Sequence, residues 1–91
     1  IEDSVIPACI EVGATLVAYS PLGRGMLSGR FKHDVRPAEG DYRTLTPRFQ
    51  GDAYETNVAL VAEIEALASA KSCNPAQVAL NAINLSHSFI I

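Results

Sequence analysis

The stretch Ala14-Thr15-Leu16-Val17-Ala18-Tyr19-Ser20-Pro21-Leu22-Gly23-Arg24-Gly25 decides the fold of this chain. Its first six residues are an apolar run with β-branched members and no alternation, the pattern of a strand buried on both faces of a parallel sheet. Just before it, Val5, Ile6, Cys9 and Ile10 recur at helical spacing, and Gly13 is placed to end that helix. Pro7 is compatible only with its first turn. A helix, a one-glycine turn and a buried strand make the αβ half of a βαβ unit, so the chain reads as α/β.

Beyond the strand the composition changes. Residues 20–51 hold five of the six glycines and three of the five prolines, which predicts a long loop, a kind of segment that is usually functional or disordered. Asp52-Ala53-Tyr54-Glu55 then has the form of a capping box, and Leu60, Val61, Ile64, Leu67 and Ala68 mark one face of a helix ending near Lys71. A second cap follows at Asn74, with Pro75 at the first helical position and Gln77 at the third, opening a helix through Val78, Ala79, Leu80 and Ile83. Two helices side by side are expected. From Asn81 onward the sequence gives no turn signal, and 81–91 reads as a divergent tail after a unit at 1–80.

Composition narrows the function classes. With 91 residues, 48% hydrophobic and 19% charged, the chain is too apolar for a disordered tail and marginal in size for a core of its own. A net charge of -3 gives no reason to expect nucleic acid or an anionic membrane as a partner. Cys9 and Cys73 show no metal-ligand or redox spacing and read as reduced thiols, which favours a cytoplasmic setting. A start at Ile1 and an end at Ile91 inside an apolar segment suggest a piece of a longer protein.

Chemistry concentrates at the carboxyl end of the expected strand. Small residues there let backbone amides approach an anion, a hydroxyl can donate to a phosphate oxygen, an arginine can neutralise charge, and an exposed aromatic can stack on a flat ring. In parallel sheets ligands sit at that end. Two familiar phosphate motifs fit poorly. Gly23, Gly25 and Gly29 place the third glycine one residue late for a dinucleotide fingerprint, and Phe31 stands where a P-loop needs Lys followed by Ser or Thr.

Tyr19-Ser20-Pro21-Leu22-Gly23-Arg24-Gly25 followed by Leu27-Ser28-Gly29 resembles the strand-seven signature of the aldo-keto reductases. The flanks agree: residues 3–13 resemble the preceding helix, Pro47-Arg48-Phe49-Gln50-Gly51 the later loop, and Pro75-Ala76-Gln77-Val78-Ala79-Leu80 the next helix. The likeness is closest to the branch described as pyridoxal reductase-like or auxin-induced-protein-like. It implies a partial (β/α)8 barrel consisting of helix, strand seven, long cofactor loop and two helices, mainly helical with one strand when taken alone. It also implies NADPH as cofactor. Tyr19 would stack on the nicotinamide, Ser20, Pro21, Leu22 and Gly23 would line the pyrophosphate, and Arg24 and Arg30 would lie along the phosphates. Arg48 reads first as a solvated loop charge, with a clasp on the cofactor as the alternative that the resemblance leaves open.

The departures carry equal information. The family's catalytic Asp, Tyr, Lys and His come from earlier strands, and nothing here matches them. Tyr19, Tyr42 and Tyr54 are not expected to be proton donors, and neither His33 nor His87 shows a carboxylate and a lysine in suitable arrangement. The expectation is a fragment of an NADPH-dependent reductase of aldehydes or ketones, inactive by itself, with a small carbonyl compound as the substrate of the complete enzyme. The competing expectation is a non-catalytic polypeptide that docks on a protein partner through its two helices.

Overall fold

The computed structural model describes residues 1–86 and 88–90, so the expectation about His87 lies outside the described residues. Helix α1, Val5–Val12, accommodates Pro7 in its first turn and stops at Gly13, whose φ of 66° is the left-handed conformation that glycine adopts without steric cost. The Gly13 and Ala14 amides donate to the Ile10 and Cys9 carbonyls at 3.2 and 2.9 Å, satisfying the frayed helix end. Of α1 only Ile6 is buried. Ile10 and Val12 are exposed.

The segment expected as a strand does not form one. Among the described residues there is no strand, and Leu16 makes a single parallel bridge to Ile90, its amide donating to the Phe89 carbonyl at 3.1 Å. The correction has a simple cause. A strand's ladder is completed by its neighbours, and the described residues supply only one short partner. Val17 is accordingly 71% exposed, although its composition is that of an interior position.

The long loop carries structure of its own. It contains three 3₁₀ turns, Met26–Ser28, Tyr42–Leu45 and Pro47–Phe49. Its Met26, Phe31 and Phe49 join Tyr54, Val58 and Val61 of the next helix in one buried cluster. Phe31 and Phe49 meet edge to face at 5.3 Å, a favoured aromatic geometry. The Tyr54 ring is fully buried, and its hydroxyl lies 2.7 Å from both the Lys32 and Val35 carbonyls, closing the tight turn those residues bracket.

Helix α2, Gly51–Ala70, begins a residue before the expected capping box. Gln50, extended at φ -116°, is the N-cap, and Asp52 sits inside the first turn without capping, where its charge still complements the helix dipole. The buried face is Tyr54, Val58, Val61 and Ala68, whereas Leu60 and Leu67 of the expected stripe are 56% and 45% exposed. The helix is turned to the loop's aromatic cluster, which selects a face including Tyr54 and Val58. Helix α3, Pro75–Ser86, packs along α2 and buries Ala79. Its cap is the expected one: the Gln77 amide donates to Asn74 Oδ1 and the Asn74 amide to Gln77 Oε1, both at 2.9 Å. Residues 81–86 are the last turns of α3, and Ile90 beyond them is buried.

Candidate functional site

The extended segment delivers Tyr19 to the entrance of a compact turn. The Gly23 amide donates to the Ser20 carbonyl at 2.8 Å, and the amides of Gly25 and Leu27 both donate to the Leu22 carbonyl at 3.1 Å. Four residues of this turn are left-handed: Ser20 at φ 51°, Gly23 at 58°, Arg24 at 60° and Gly25 at 90°. At Ser20 and Arg24 this conformation costs roughly 1–2 kcal/mol each because a Cβ crowds the carbonyl. One compensation is visible, the Arg24 amide donating to Ser20 Oγ at 3.1 Å.

The seven residues expected to meet a cofactor fall in two places. Tyr19 through Arg24 are contiguous on the turn, whereas Arg30 lies beyond the 3₁₀ turn Met26–Ser28, its guanidinium 5.9 Å from the Phe31 ring centre. Tyr19 is 91% exposed, its ring free of packing. Pro21 lines a hollow of about 220 Å³ with Ala18, Leu80, Ile83 and Asn84. The Arg24 guanidinium is engaged, donating to Thr46 Oγ1 at 3.1 Å.

Sequence reasoning missed the residue that organises this loop. Arg43 donates to both carboxylate oxygens of Asp41, reaches across to the Arg24 carbonyl at 3.2 Å, and lies 4.9 Å from the Phe31 ring centre. The two halves of the loop are thereby joined. Hydrogen bonds from Arg43 hold the Asp41 carboxyl down at about 2, and the same pairing pushes the Arg43 pKa up. The only hint in the sequence is the Asp41-x-Arg43 spacing, a two-residue step that occurs here at a 3₁₀ turn and not in a strand.

A cleft of about 370 Å³ opens beside the turn, lined by Gly23, Met26, Leu27, Arg48 and Asn57. A Cβ at Gly23 would stand 3.8–3.9 Å from Met26 Cβ, Leu27 Cγ and Arg48 Nη1, so its absence widens the space rather than preventing a clash. Asn57, which sequence reasoning passed over, donates from Nδ2 to the Arg48 carbonyl at 3.0 Å. An uncrowded glycine backbone with a guanidinium beside it suits an anion.

No group of three metal-ligating side chains occurs among the described residues. His33 does meet a carboxylate, its Nδ1 contacting Glu55, which also pairs with Arg36, because helix α2 brings Glu55 under the turn at 32–35. That cluster is on the surface. Lys32 pairs with Glu65 instead. No helix of the described residues is long and apolar enough to cross a membrane.

Backbone and turn together have the form of a segment of a larger α/β fold whose sheet is not completed by the described residues. Comparison with known proteins agrees. The sequence pattern of the Aldo/keto reductase family matches residues 1–83. The aldo-keto reductase yakc of Schizosaccharomyces pombe, whose name specifies NADP(+), is 42% identical over 79 residues, 87% of this chain and 23% of that protein. A glycerol dehydrogenase from Gluconobacter oxydans superposes with a TM-score of 0.87 at 26% identity, covering 100% of this chain and 28% of that one. The chain belongs to the aldo/keto reductase family. It spans roughly a quarter of the length of these two relatives.

Proposed function

We propose that this chain supplies the cofactor ledge of an NADPH-dependent reductase that converts aldehydes or ketones to alcohols. NADPH would contribute a hydride when bound. Tyr19 offers a ring face to the nicotinamide, the backbone and hydroxyl of Ser20 to Gly23 face the phosphates, and Arg24 and Arg30 add positive charge nearby. Arg24 would have to leave Thr46 to touch a phosphate directly. No matched proton donor accompanies these residues, so the catalytic group belongs to barrel strands outside this chain.

The observation that carries this reading is the exposed Tyr19 ring at the lip of a turn built from left-handed residues. A ring so placed gains nothing from folding and is available to a ligand. The test follows the Tyr19 ring resonances of the purified chain as NADP(+) is added. Weak, saturable shifts that vanish in Tyr19→Ala are expected, and NADPH absorbance should stay constant when an aldehyde is added. Carbonyl-dependent loss of NADPH by the chain alone would overturn the ledge-only reading, as would ligand shifts indifferent to Tyr19→Ala.

A second reading has one observation in its favour. Leu67, Cys73, Val78, Ala82 and Leu85 line an open, mainly apolar groove between α2 and α3. A protein partner docked there would make the chain a non-catalytic interaction polypeptide. Co-purification of one protein, lost on Leu85→Glu, would favour that reading over the first.

A further inference from the structure

We propose that Thr46 is a phosphorylation site, the acceptor for a proline-directed protein kinase, and that Arg24 receives the phosphoryl group. Two prolines of the chain follow a hydroxyl residue, in Ser20-Pro21 and Thr46-Pro47. Their backbones differ. A kinase cleft takes its substrate as an extended segment, and the residue before a proline favours that form. Thr46 has it, at φ -96° and ψ 125°, whereas Ser20 is left-handed at φ 51°. Thr46 is half-buried, but Leu45 before it is 81% exposed and Pro47 after it is exposed too.

The hydroxyls of this loop are used differently. Thr44 Oγ1 donates to the Asp41 carbonyl at 2.7 Å, and Ser28 Oγ to the Gly25 carbonyl at 2.6 Å. Thr46 Oγ1 instead accepts, from Arg24 Nη1 at 3.1 Å. A phosphoryl group built on that oxygen therefore starts beside a guanidinium. None of the ion pairs among the described residues includes Arg24, so no carboxylate has to be displaced. Asp41, the acid closest to Thr46 in sequence, is held by Arg43.

Thr46 Oγ1 attacks the γ-phosphorus of ATP, the bond to the β-phosphate oxygen breaks to release ADP, and the hydroxyl proton passes to the kinase's carboxylate. The product carries roughly two negative charges and three acceptor oxygens. The Arg24 carbonyl already accepts from Arg43 at 3.2 Å, so the modified loop grips Arg24 at both ends and ties residues 20–25 to residues 41–46. One consequence rests on the cofactor ledge proposed above. With Arg24 drawn away and negative charge added beside the turn, NADP(+) binds less tightly.

The experiment incubates the 91-residue chain with ATP and a purified mitogen-activated-type kinase, which requires proline after its acceptor, and maps the product by tandem mass spectrometry. One phosphate at Thr46 is expected, with Ser20 unmodified and no incorporation in Thr46→Val. Phosphorus NMR then titrates the phosphate. Its second ionisation should fall roughly 1 unit below that of the same phosphothreonine in a peptide of residues 43–50. Arg24→Gln should abolish the difference, and Arg24→Lys should keep part of it. NADP(+) should bind the phosphorylated chain about tenfold more weakly than the unmodified one, as for loss of one charge-assisted hydrogen bond.

No incorporation at Thr46, or modification of Ser20 in its place, would overturn the site. A phosphate titration indifferent to Arg24→Gln would overturn the role of Arg24. Equal NADP(+) affinity of the two forms would overturn the regulatory consequence and leave the ledge standing. If neither form binds NADP(+), the ledge falls and the consequence with it, while the site and its arginine are judged by the first two measurements.

Discussion

Asn74 and Gln77 cap helix α3 reciprocally, each side chain accepting the other's amide at 2.9 Å. Two backbone donors at the helix start are thereby satisfied without water. Asn74→Ala removes one acceptor and should cost about 1 kcal/mol, whereas Asn74→Asp should cost much less. Urea unfolding followed at 222 nm checks the ranking of the two variants. Equal midpoints would mean that the cap contributes nothing.

Tyr54 joins the loop to α2 through both its ring and its hydroxyl. Tyr54→Phe keeps the ring in the cluster with Phe49 and Val58 but leaves the Lys32 and Val35 carbonyls without this donor, at a cost of roughly 1–3 kcal/mol. Tyr54→Ala removes the ring as well and should cost about 3–5 kcal/mol. Burial raises the Tyr54 pKa above 10.0, so alkaline titration of the phenol should lag behind that of exposed tyrosines. Ultraviolet titration of the tyrosinate band measures this lag directly.

Asp41 predicts a pH dependence of definite sign. Its carboxyl is held at about 2, below the ordinary 3.8, so the folded chain binds this proton less readily than the unfolded chain does. The stabilisation is therefore complete above the unfolded value and is lost as pH falls from about 4 through about 2. In Asp41→Asn that component of the acid transition should disappear. Carbon-detected titration of the carboxyl in the native chain gives its midpoint independently, and a value near 3.8 would contradict the Arg43 pairing.

Gly29 and Gly40 are both left-handed, at φ 75° and 82°, yet their surroundings differ. A Cβ at Gly29 would come within 2.7 Å of Glu65 Oε1 and 3.0 Å of Pro75 Cγ, whereas one at Gly40 meets nothing within 4 Å. Gly40→Ala should therefore cost only the backbone term of about 1–2 kcal/mol. Gly29→Ala adds displacement of a carboxylate paired with Lys32 and contact with a rigid proline ring. Thermal unfolding of both variants should place Gly29→Ala clearly lower.

Local chemistry made part of this molecule legible beforehand. The Asn74 cap and the Gly13 stop depend on residues adjacent in sequence, and both occur as the sequence implies. The helix from 51 to 70 was visible, but its buried face was not, because that face is chosen by Phe31 and Phe49 in an aperiodic loop. The strand at 14–19 is written in its composition, and its ladder depends on chains of atoms that these residues do not supply. At the site, the turn of Tyr19 to Gly25 was recognisable as a unit. The Asp41–Arg43–Arg24 link and the contact of Asn57 with Arg48 join positions whose proximity no periodic pattern encodes.

The lone rung between Leu16 and Ile90 sets an order of events in folding. The aromatic cluster assembles from positions 26 to 61, a local search, while the rung must bring together almost opposite ends of the polypeptide. Closing so long a loop costs more entropy than the roughly 1 kcal/mol one backbone hydrogen bond returns, so this contact forms last and opens first. Deuterium should accordingly enter the Leu16 amide long before the amides of Val58 and Val61.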